Sequence, residues 1–284
     1  MRIISLLPSA TELIGSLGLH EQLVAISHEC DTPQSVLHLP HATGSRIPSG
    51  LTQSEINALV AESMANDEPL YSVNAALIRD LEPDLVITQG LCDVCAVTPD
   101  TIETSLRGIS CTLAASTQVL SLGGMSIDGI FDDLNTLAAA TNTADQSRKL
   151  IANAKTHLQQ LQAPEKKPKV LLLEWVDPAY SPGHWVPEQI HAAGCISALG
   201  APGDHSRALH WAEVEAAKPD AIGVISCGYG LEQNLGFAQS LSKMDAIQSW
   251  FNGPIVAFDA NRMFSRPTLA VVDGAQRLHQ AFVL

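Results

Sequence analysis

The sequence is poor in cysteine, in basic residues and in aromatic residues, and the first two shortages exclude classes of protein. Six cysteines among 284 residues are too few for a scaffold built on disulfides, which indicates reduced thiols and a cytoplasmic location. Its 16 lysines and arginines are outnumbered by 30 aspartates and glutamates, so the net charge is −14. Because nucleic-acid phosphates attract basic surfaces, this charge excludes a nucleic-acid-binding protein.

The chain also lacks the segments and motifs that mark membrane proteins, secreted proteins and several enzyme classes. No apolar run is long enough to span a membrane, and no leader precedes the strand-like run RIISLL at residues 2–7. This supports a cytoplasmic location, or a periplasmic one if a leader was removed. Neither GxSxG, GxxxxGK nor HExxH occurs, and the spacing yields no catalytic triad. The sequence therefore contains none of these catalytic motifs.

Residues 126–162 have the clearest helical pattern in the chain. Apolar residues recur at i, i+3, i+4 and i+7 from Ile127, and Ser126 is a candidate N-cap. Residues 141–143 leave two alternatives, one long helix or two joined helices. We expect this connector, 125–165, to join an N-terminal α/β lobe at 1–124 to a C-terminal α/β lobe at 166–284.

A unit of helix, Pro-Asp turn, buried strand and glycine loop occurs twice, as AALIRDLEPDLVITQG at 75–90 and EVEAAKPDAIGVISCG at 213–228. The opening strand likewise has a counterpart in KVLLLEWVDP at 169–178, and RGISCTLAAS at 107–116 has one in GPIVAFDA at 253–260. Alternating strands and helices predict a mostly parallel sheet in each lobe. Ligands bind such sheets beyond the carboxyl ends of the strands.

The loops after the predicted strands hold the candidate ligand-binding residues. Aromatic residues make up only 5% of the chain, yet these loops contain Trp175, Tyr180, Trp185, Tyr229 and Phe264. Rings of this kind suit a large, flat, partly apolar ligand, and packing between the lobes is the alternative. The same loops contain Pro8, Ser9, Glu29, Gln89, Gly90, His184 and Arg266. Ser9 is also a candidate helix cap, and His184 a candidate axial ligand to a metal carried by the ligand.

A cysteine pair, CDVC, raises the question of a bound metal. Cys92 and Cys95 could complete a tetrahedral site for Zn²⁺ or iron with His28 and Cys30. A single CxxC is only moderately specific, so redox exchange and reduced structural thiols are alternatives. A further alternative is that Cys30 or Cys92 directly coordinates the cobalt ion of a bound ligand.

Several longer strings resemble a known family. RIISLLPSATELIGSLGL, the EPDLVIT and KPDAIGVIS units, the central helical stretch and RPTLAVVDGAQRL together resemble the cobalamin and iron-siderophore substrate-binding proteins of ABC importers. HECDTP, TQGLCDVCAV and LEWVDPAYSPGHWVPEQIHAAG resemble a leaderless, cobalamin-binding-protein-like subgroup. The resemblance implies two α/β lobes bridged by a long α-helix, with a corrinoid or siderophore in the cleft between them. The residues that the resemblance places in contact with the ligand are Pro8, Ser9, Gln89, Trp175, Tyr180, His184, Trp185 and Phe264.

The resemblance also bears on the partner. Importer-associated members carry a glutamate on each lobe, seven residues before the proline of the repeated unit, and this glutamate binds arginines of the permease. Here those positions are Ala76 and Ala212, with Glu213 beside the second. We therefore expect a cytoplasmic, non-catalytic binder of cobalamin, another corrinoid or a related metal chelate, without a classical ABC permease. A conventional import component, and a metal sensor or enzyme at the cysteine cluster, are the alternatives.

Overall fold

The computed structural model describes residues 1–66, 70–89, 114 and 116–284. The chain forms two compact units, which we call the N-terminal lobe (Met1–Gly124 with Phe131–Arg148) and the C-terminal lobe (Met125–Ile130 with Lys149–Leu284). The predicted division at 1–124, 125–165 and 166–284, with a separate connector, stays a prediction.

The N-terminal lobe is built on a parallel sheet. Its described strands are β1 (Ile3–Ser5), β2 (Leu23–Ala25), β5 (Leu85–Gln89) and β6 (Gln118–Leu122), in the order β2-β1-β5-β6. A separate antiparallel pair is formed by β3 (Thr43–Ser45) and β4 (Tyr71–Val73), and the helices are α1 (Pro8–Ser16), α2 (Gln53–Asn66) and α3 (Ala75–Asp80). The central strands β1 and β5 are mostly apolar and buried, except for half-buried Gln89, because both faces of a parallel sheet are covered.

Two helices follow, and they settle the alternative left open for the central stretch. They are α4 (Ile127–Ala140) and α5 (Ala144–Gln159). The Ser126 hydroxyl caps α4 by accepting a hydrogen bond from the Gly129 amide at 2.9 Å. Between the helices Asn142 has a φ of 57°, the left-handed conformation that asparagine tolerates better than most residues. The helical pattern is therefore broken in two by this turn.

The C-terminal lobe repeats the strand order of the first. Its parallel sheet contains β7 (Lys169–Leu173), β10 (Ile196–Ser197), β11 (Ala221–Val224) and β12 (Ile255–Ala257), in the order β10-β7-β11-β12. An antiparallel pair, β8 (Trp175–Val176) and β9 (Ala179–Tyr180), follows β7. The helices are α6 (Val186–Ala192), α7 (Trp211–Ala217), α8 (Leu231–Leu241), α9 (Asp245–Gln248), α10 (Ala260–Met263) and α11 (Val271–Phe282). In both lobes the third strand of the sheet follows the repeated Pro-Asp turn, which confirms the predicted fold of two mostly parallel α/β lobes.

Two details of the N-terminal lobe differ from the sequence prediction. The strand beside β5 is β6 at 118–122, whereas the sequence repeat pointed to 107–116, most of which lies outside the described residues. Ser9 does not cap α1, because the N-cap is Leu7 and the helix starts at Pro8. Proline suits the first helical position since its fixed φ is already helical.

In the described part of the chain, no helix combines the length and the apolar character needed to cross a membrane.

Candidate functional site

The candidate site in the C-terminal lobe is formed by loops at the carboxyl ends of β7, β11 and β12. These strands are parallel neighbours, so the loops leave the sheet at one edge. Backbone hydrogen bonds join the loops to one another: the Cys227 amide donates to the Glu174 carbonyl at 3.0 Å, and the Asn261 amide donates to the Tyr229 carbonyl at 3.1 Å. The sheet edge therefore holds three predicted loops together.

A ring cluster lies at this edge. The ring centroids of Trp175 and Tyr229 are 5.7 Å apart, and Tyr229 meets Phe237 edge to face at 4.9 Å. Tyr180 lies opposite Trp175 in the β8–β9 pair. Trp175, Tyr180 and Tyr229 are each half-buried, and burial raises the pKa of the Tyr229 phenol. The cluster therefore offers partly open apolar rings with neutral polar tips.

Asn234, which the sequence analysis did not single out, fixes the loop that carries Tyr229. Its side chain is fully buried on α8, and its amide nitrogen donates to the carbonyls of Tyr229 at 3.2 Å and Phe258 at 3.1 Å. Its carbonyl oxygen accepts a hydrogen bond from the Ser226 amide at 2.9 Å. The only feature of the sequence that could have identified Asn234 is its polar side chain on the otherwise apolar, buried face of a helix.

Trp185 and Phe264 are placed differently from the open rings. Both are buried inside the C-terminal lobe, with 6% and 2% of their surfaces exposed. The Trp185 indole donates to the Phe264 carbonyl at 2.9 Å. The side-chain amide of Gln189 donates to the backbone carbonyls of Met263 at 2.9 Å and Val271 at 2.8 Å. These contacts hold the segment that carries the half-buried Arg266. Ligand contact by Trp185, Phe264 and Arg266 stays a prediction.

His184 lies in a constrained loop between β9 and α6. Its φ of 52° is in the left-handed region, and its backbone amide donates to the Asp204 carbonyl at 2.7 Å. Burial lowers the pKa of its imidazole, and nearby His205 lowers it further. The ring is therefore neutral at pH 7, which leaves one nitrogen able to donate an electron pair.

In the N-terminal lobe the predicted ligand-binding residues follow β1, β2 and β5. Pro8 is half-buried at the start of α1, whereas Ser9 is buried. Glu29 is exposed, and Gln89 ends β5 half-buried. Gly90 lies outside the described residues. Their contact with a ligand stays a prediction.

The predicted metal site is only half described, since Cys92 and Cys95 lie outside the described residues. His28 Nδ1 is 2.7 Å from the Thr43 hydroxyl, and the sulfur of buried Cys30 is 3.2 Å from the Thr11 hydroxyl. Among the residues that the structure describes, no three histidine, cysteine, aspartate or glutamate side chains are grouped to hold a metal ion. The four-ligand site, and a sensor or enzyme built on it, therefore stay predictions.

The two positions compared with permease-docking glutamates are exposed alanines, Ala76 on α3 and Ala212 on α7. Glu213, beside the second position, is engaged within its own lobe. It accepts hydrogen bonds from the Arg207 guanidinium at 3.0 Å and from the His210 amide at 2.9 Å. The Arg207 hydrogen bond, followed by that of His210, lowers the pKa of Glu213. Its carboxylate therefore caps α7 and pairs with arginine.

Solved structures with a similar fold come from several bacteria. The periplasmic heme-binding protein HutB of Vibrio cholerae is 24% identical, with a TM-score of 0.69 over 100% of this chain and 99% of the other. An ABC transporter substrate-binding protein from Listeria monocytogenes is 18% identical, with a TM-score of 0.72 over 99% and 98%. The periplasmic vitamin B12 binding protein BtuF of Vibrio cholerae is 19% identical, with a TM-score of 0.64 over 99% and 96%. These similarities show the fold.

Sequence comparison with curated proteins finds no match. A family model described as periplasmic binding protein, in contrast, matches residues 3–249. This match covers most of the chain and includes strands from both lobes. The chain therefore belongs to the periplasmic binding protein family, as the resemblance of its sequence implied.

Proposed function

We propose that this protein is a non-catalytic binding protein for a corrinoid or a related large metal chelate. The observation that carries the proposal is the ring pair of Trp175 and Tyr229, 5.7 Å apart at the carboxyl edge of the C-terminal sheet. Tyr180 lies opposite Trp175 and extends this surface. Rings that are half-buried without a ligand still have area to bury when a flat molecule binds.

The polar groups around the rings suit a chelate that carries amide or carboxylate groups at its margin. The phenols of Tyr180 and Tyr229 can donate hydrogen bonds, and Arg266 adds a positive charge to the same loops. Asn234 holds the Tyr229 loop in place before ligand arrives, which reduces the ordering cost of binding. Two structures of the same fold are named for binding heme and vitamin B12, both large metal chelates, and this supports the ligand class.

Equilibrium dialysis against hydroxocobalamin, hemin and a ferric siderophore tests the proposal and ranks the three ligands. We expect saturable binding of at least one, with hydroxocobalamin first, and recovery of the ligand chemically unchanged. Trp175→Ala and Tyr229→Ala should each weaken binding by about tenfold or more, since a buried aromatic contact contributes on that scale.

Trp250→Phe is the matched control for these variants. The Trp250 indole donates to the carbonyl of Ala246 on α9 at 2.7 Å. Trp250 is not part of the three loops that form the candidate site, so its replacement should not change ligand affinity. Absence of binding to all three chelates would overturn the proposal. Equal affinity of the ring variants and the wild type would overturn the assigned site.

We further infer that the protein acts in the cytoplasm without an ABC permease bound through paired glutamates. Exposed Ala76 and Ala212 offer no carboxylate, and Glu213 is paired with Arg207. Fractionation of the native cells tests the compartment. Recovery of the protein in the periplasm, or its co-purification with a permease in detergent, would contradict this part of the proposal.

A further inference from the structure

Two segments of the C-terminal lobe, 179–184 and 203–209, run antiparallel to each other. Backbone hydrogen bonds join them at three points: Leu209 amide to Ala179 carbonyl at 2.7 Å, Ser181 amide to Arg207 carbonyl at 2.8 Å, and His184 amide to Asp204 carbonyl at 2.7 Å. The pairing continues to the end of the first segment. It therefore fixes the position of His184 against the second segment.

This pairing brings two histidines together that are 21 positions apart, because 205 − 184 = 21. The ring centroids of His184 and His205 are 5.4 Å apart, and the rings are nearly perpendicular at 86°. The Gly203 amide also donates to the His184 carbonyl at 2.9 Å, so His184 is held on both sides of its Cα. This support stabilises the left-handed backbone of His184, which is unfavourable for a residue with a side chain.

The hydrogen-bonding capacity of one nitrogen in the His184 ring is not used by the described residues. Its Nε2 is buried and has no hydrogen-bond partner within the described part of the chain. A buried polar atom without a partner costs free energy, so such an atom calls for an explanation, for example an ion that it binds. His205, in contrast, is exposed.

We propose that His184 and His205 form a two-imidazole site for a divalent transition-metal ion. Neutral imidazole nitrogen is a good ligand for Zn²⁺, Ni²⁺, Cu²⁺ and Co²⁺. Two protein ligands leave coordination positions open, which water or the donor atoms of a small chelating molecule would fill. The site goes beyond the proposed corrinoid binding and does not depend on it.

Calorimetric titration of metal-free, full-length protein with Ni²⁺ and Zn²⁺ tests this site in the absence of any chelate. We expect one equivalent of metal to bind, and His184→Asn and His205→Ala each to weaken binding by about tenfold or more. Asparagine is chosen at position 184 because it tolerates a left-handed backbone. His191→Ala, an exposed histidine of α6, is the matched control and should bind metal as the wild type does.

Two further measurements locate the metal without the histidine variants. In the wild type, bound metal should protect His205 from modification by diethyl pyrocarbonate, measured by peptide mass spectrometry. Metal binding should also survive in a Cys92→Ser, Cys95→Ser double variant.

Three results would overturn the site. They are absence of metal binding by the wild type, undiminished binding by the His184→Asn, His205→Ala double variant, and no protection of His205. None of these results bears on chelate binding, so failure of this site and failure of the proposed function can be told apart.

Discussion

The carboxylate of Glu188, on α6, accepts a hydrogen bond of 2.5 Å from the backbone amide of Ile127, the first residue of α4. That amide is one of the four at a helix start that lack a partner within the helix. A negative charge at this end also complements the helix dipole. Ile127 and Glu188 both belong to the C-terminal lobe, so this bond caps the start of α4 from within the lobe that carries the ring cluster.

Replacement of Glu188 should therefore destabilise the fold. We expect Glu188→Ala to lower the free energy of unfolding by about 1–2 kcal/mol, the usual cost of a lost helix cap, and Glu188→Gln to lower it less. Urea denaturation measures the change. Glu165→Ala, at an exposed site, is the control and should stay within about 0.5 kcal/mol of wild type. A Glu188→Ala protein as stable as the control would refute the role of this cap.

Gly274 on α11 leaves no room for a side chain. A methyl group there would overlap the Gln189 side-chain nitrogen and lie 2.7 Å from the Met263 carbonyl, the group that Gln189 holds. We expect Gly274→Ala to destabilise the protein by about 1–3 kcal/mol, the range for overpacking, as measured by thermal unfolding.

Gly236→Ala on α8 is the matched control for this substitution, since a methyl group there meets open space. Alanine is also favoured over glycine inside a helix, so this variant should be slightly more stable than wild type. Equal effects of the two substitutions would contradict the packing around Gln189.

The thiol of Cys195 should react slowly in the folded protein. Burial raises its pKa from 9.0 to about 11, so about a thousandth of the thiol is ionised at pH 8. Iodoacetamide labelling followed by peptide mass spectrometry should show half-buried Cys227 modified well before Cys195, and both modified alike in urea. Rapid native labelling of Cys195 would contradict its burial.

The same pKa shift predicts how Cys195 affects stability at alkaline pH. The folded state keeps a proton that the unfolded state loses above about pH 9, so the contribution of Cys195 is full below pH 9 and falls as the pH rises towards 11. Denaturation of a Cys195→Ala variant should show a weaker fall over this range than denaturation of the wild type.

The pKa of Glu213 is shifted downwards, in the opposite direction to that of Cys195. Its pKa is held below the ordinary value of 4.5, so its stabilising contribution is present above pH 4.5 and is lost as the pH falls through the lower, folded value. We expect Arg207→Met to move the pKa of Glu213 back towards 4.5 in a carboxyl-carbon NMR titration. Arg148→Met, which removes an exposed partner of Asp145, should leave the pKa of Glu213 unchanged. A carboxylate indifferent to Arg207 would be free to contact a partner, contrary to the account.

The central strands of both lobes could be predicted from the sequence because parallel strands buried on both faces are unbroken apolar runs. The repeated Pro-Asp turns then identified β5 and β11 as equivalent. β6 was missed because Gln118 and Val119 are exposed, so this strand, at the end of the described part of the sheet, lacks such a run.

The candidate site was less accessible to sequence reasoning than the fold. The aromatic loops were visible because rings are rare in this chain, but the sequence could not tell open rings such as Trp175 from buried ones such as Phe264. Phe264 is buried beside Trp185, whose indole donates to its carbonyl from 79 positions away, and no local pattern in the sequence predicts this contact. The pairing of His184 with His205 likewise depends on backbone hydrogen bonds between segments that share no motif.

Calorimetric titration of the purified, reduced protein with hydroxocobalamin is the direct test of corrinoid binding. We expect saturable binding at micromolar or tighter affinity, on the order of −8 kcal/mol, with a shift in the corrinoid absorption spectrum. The absence of both binding heat and a spectral shift at saturating hydroxocobalamin would contradict the assignment of a corrinoid ligand.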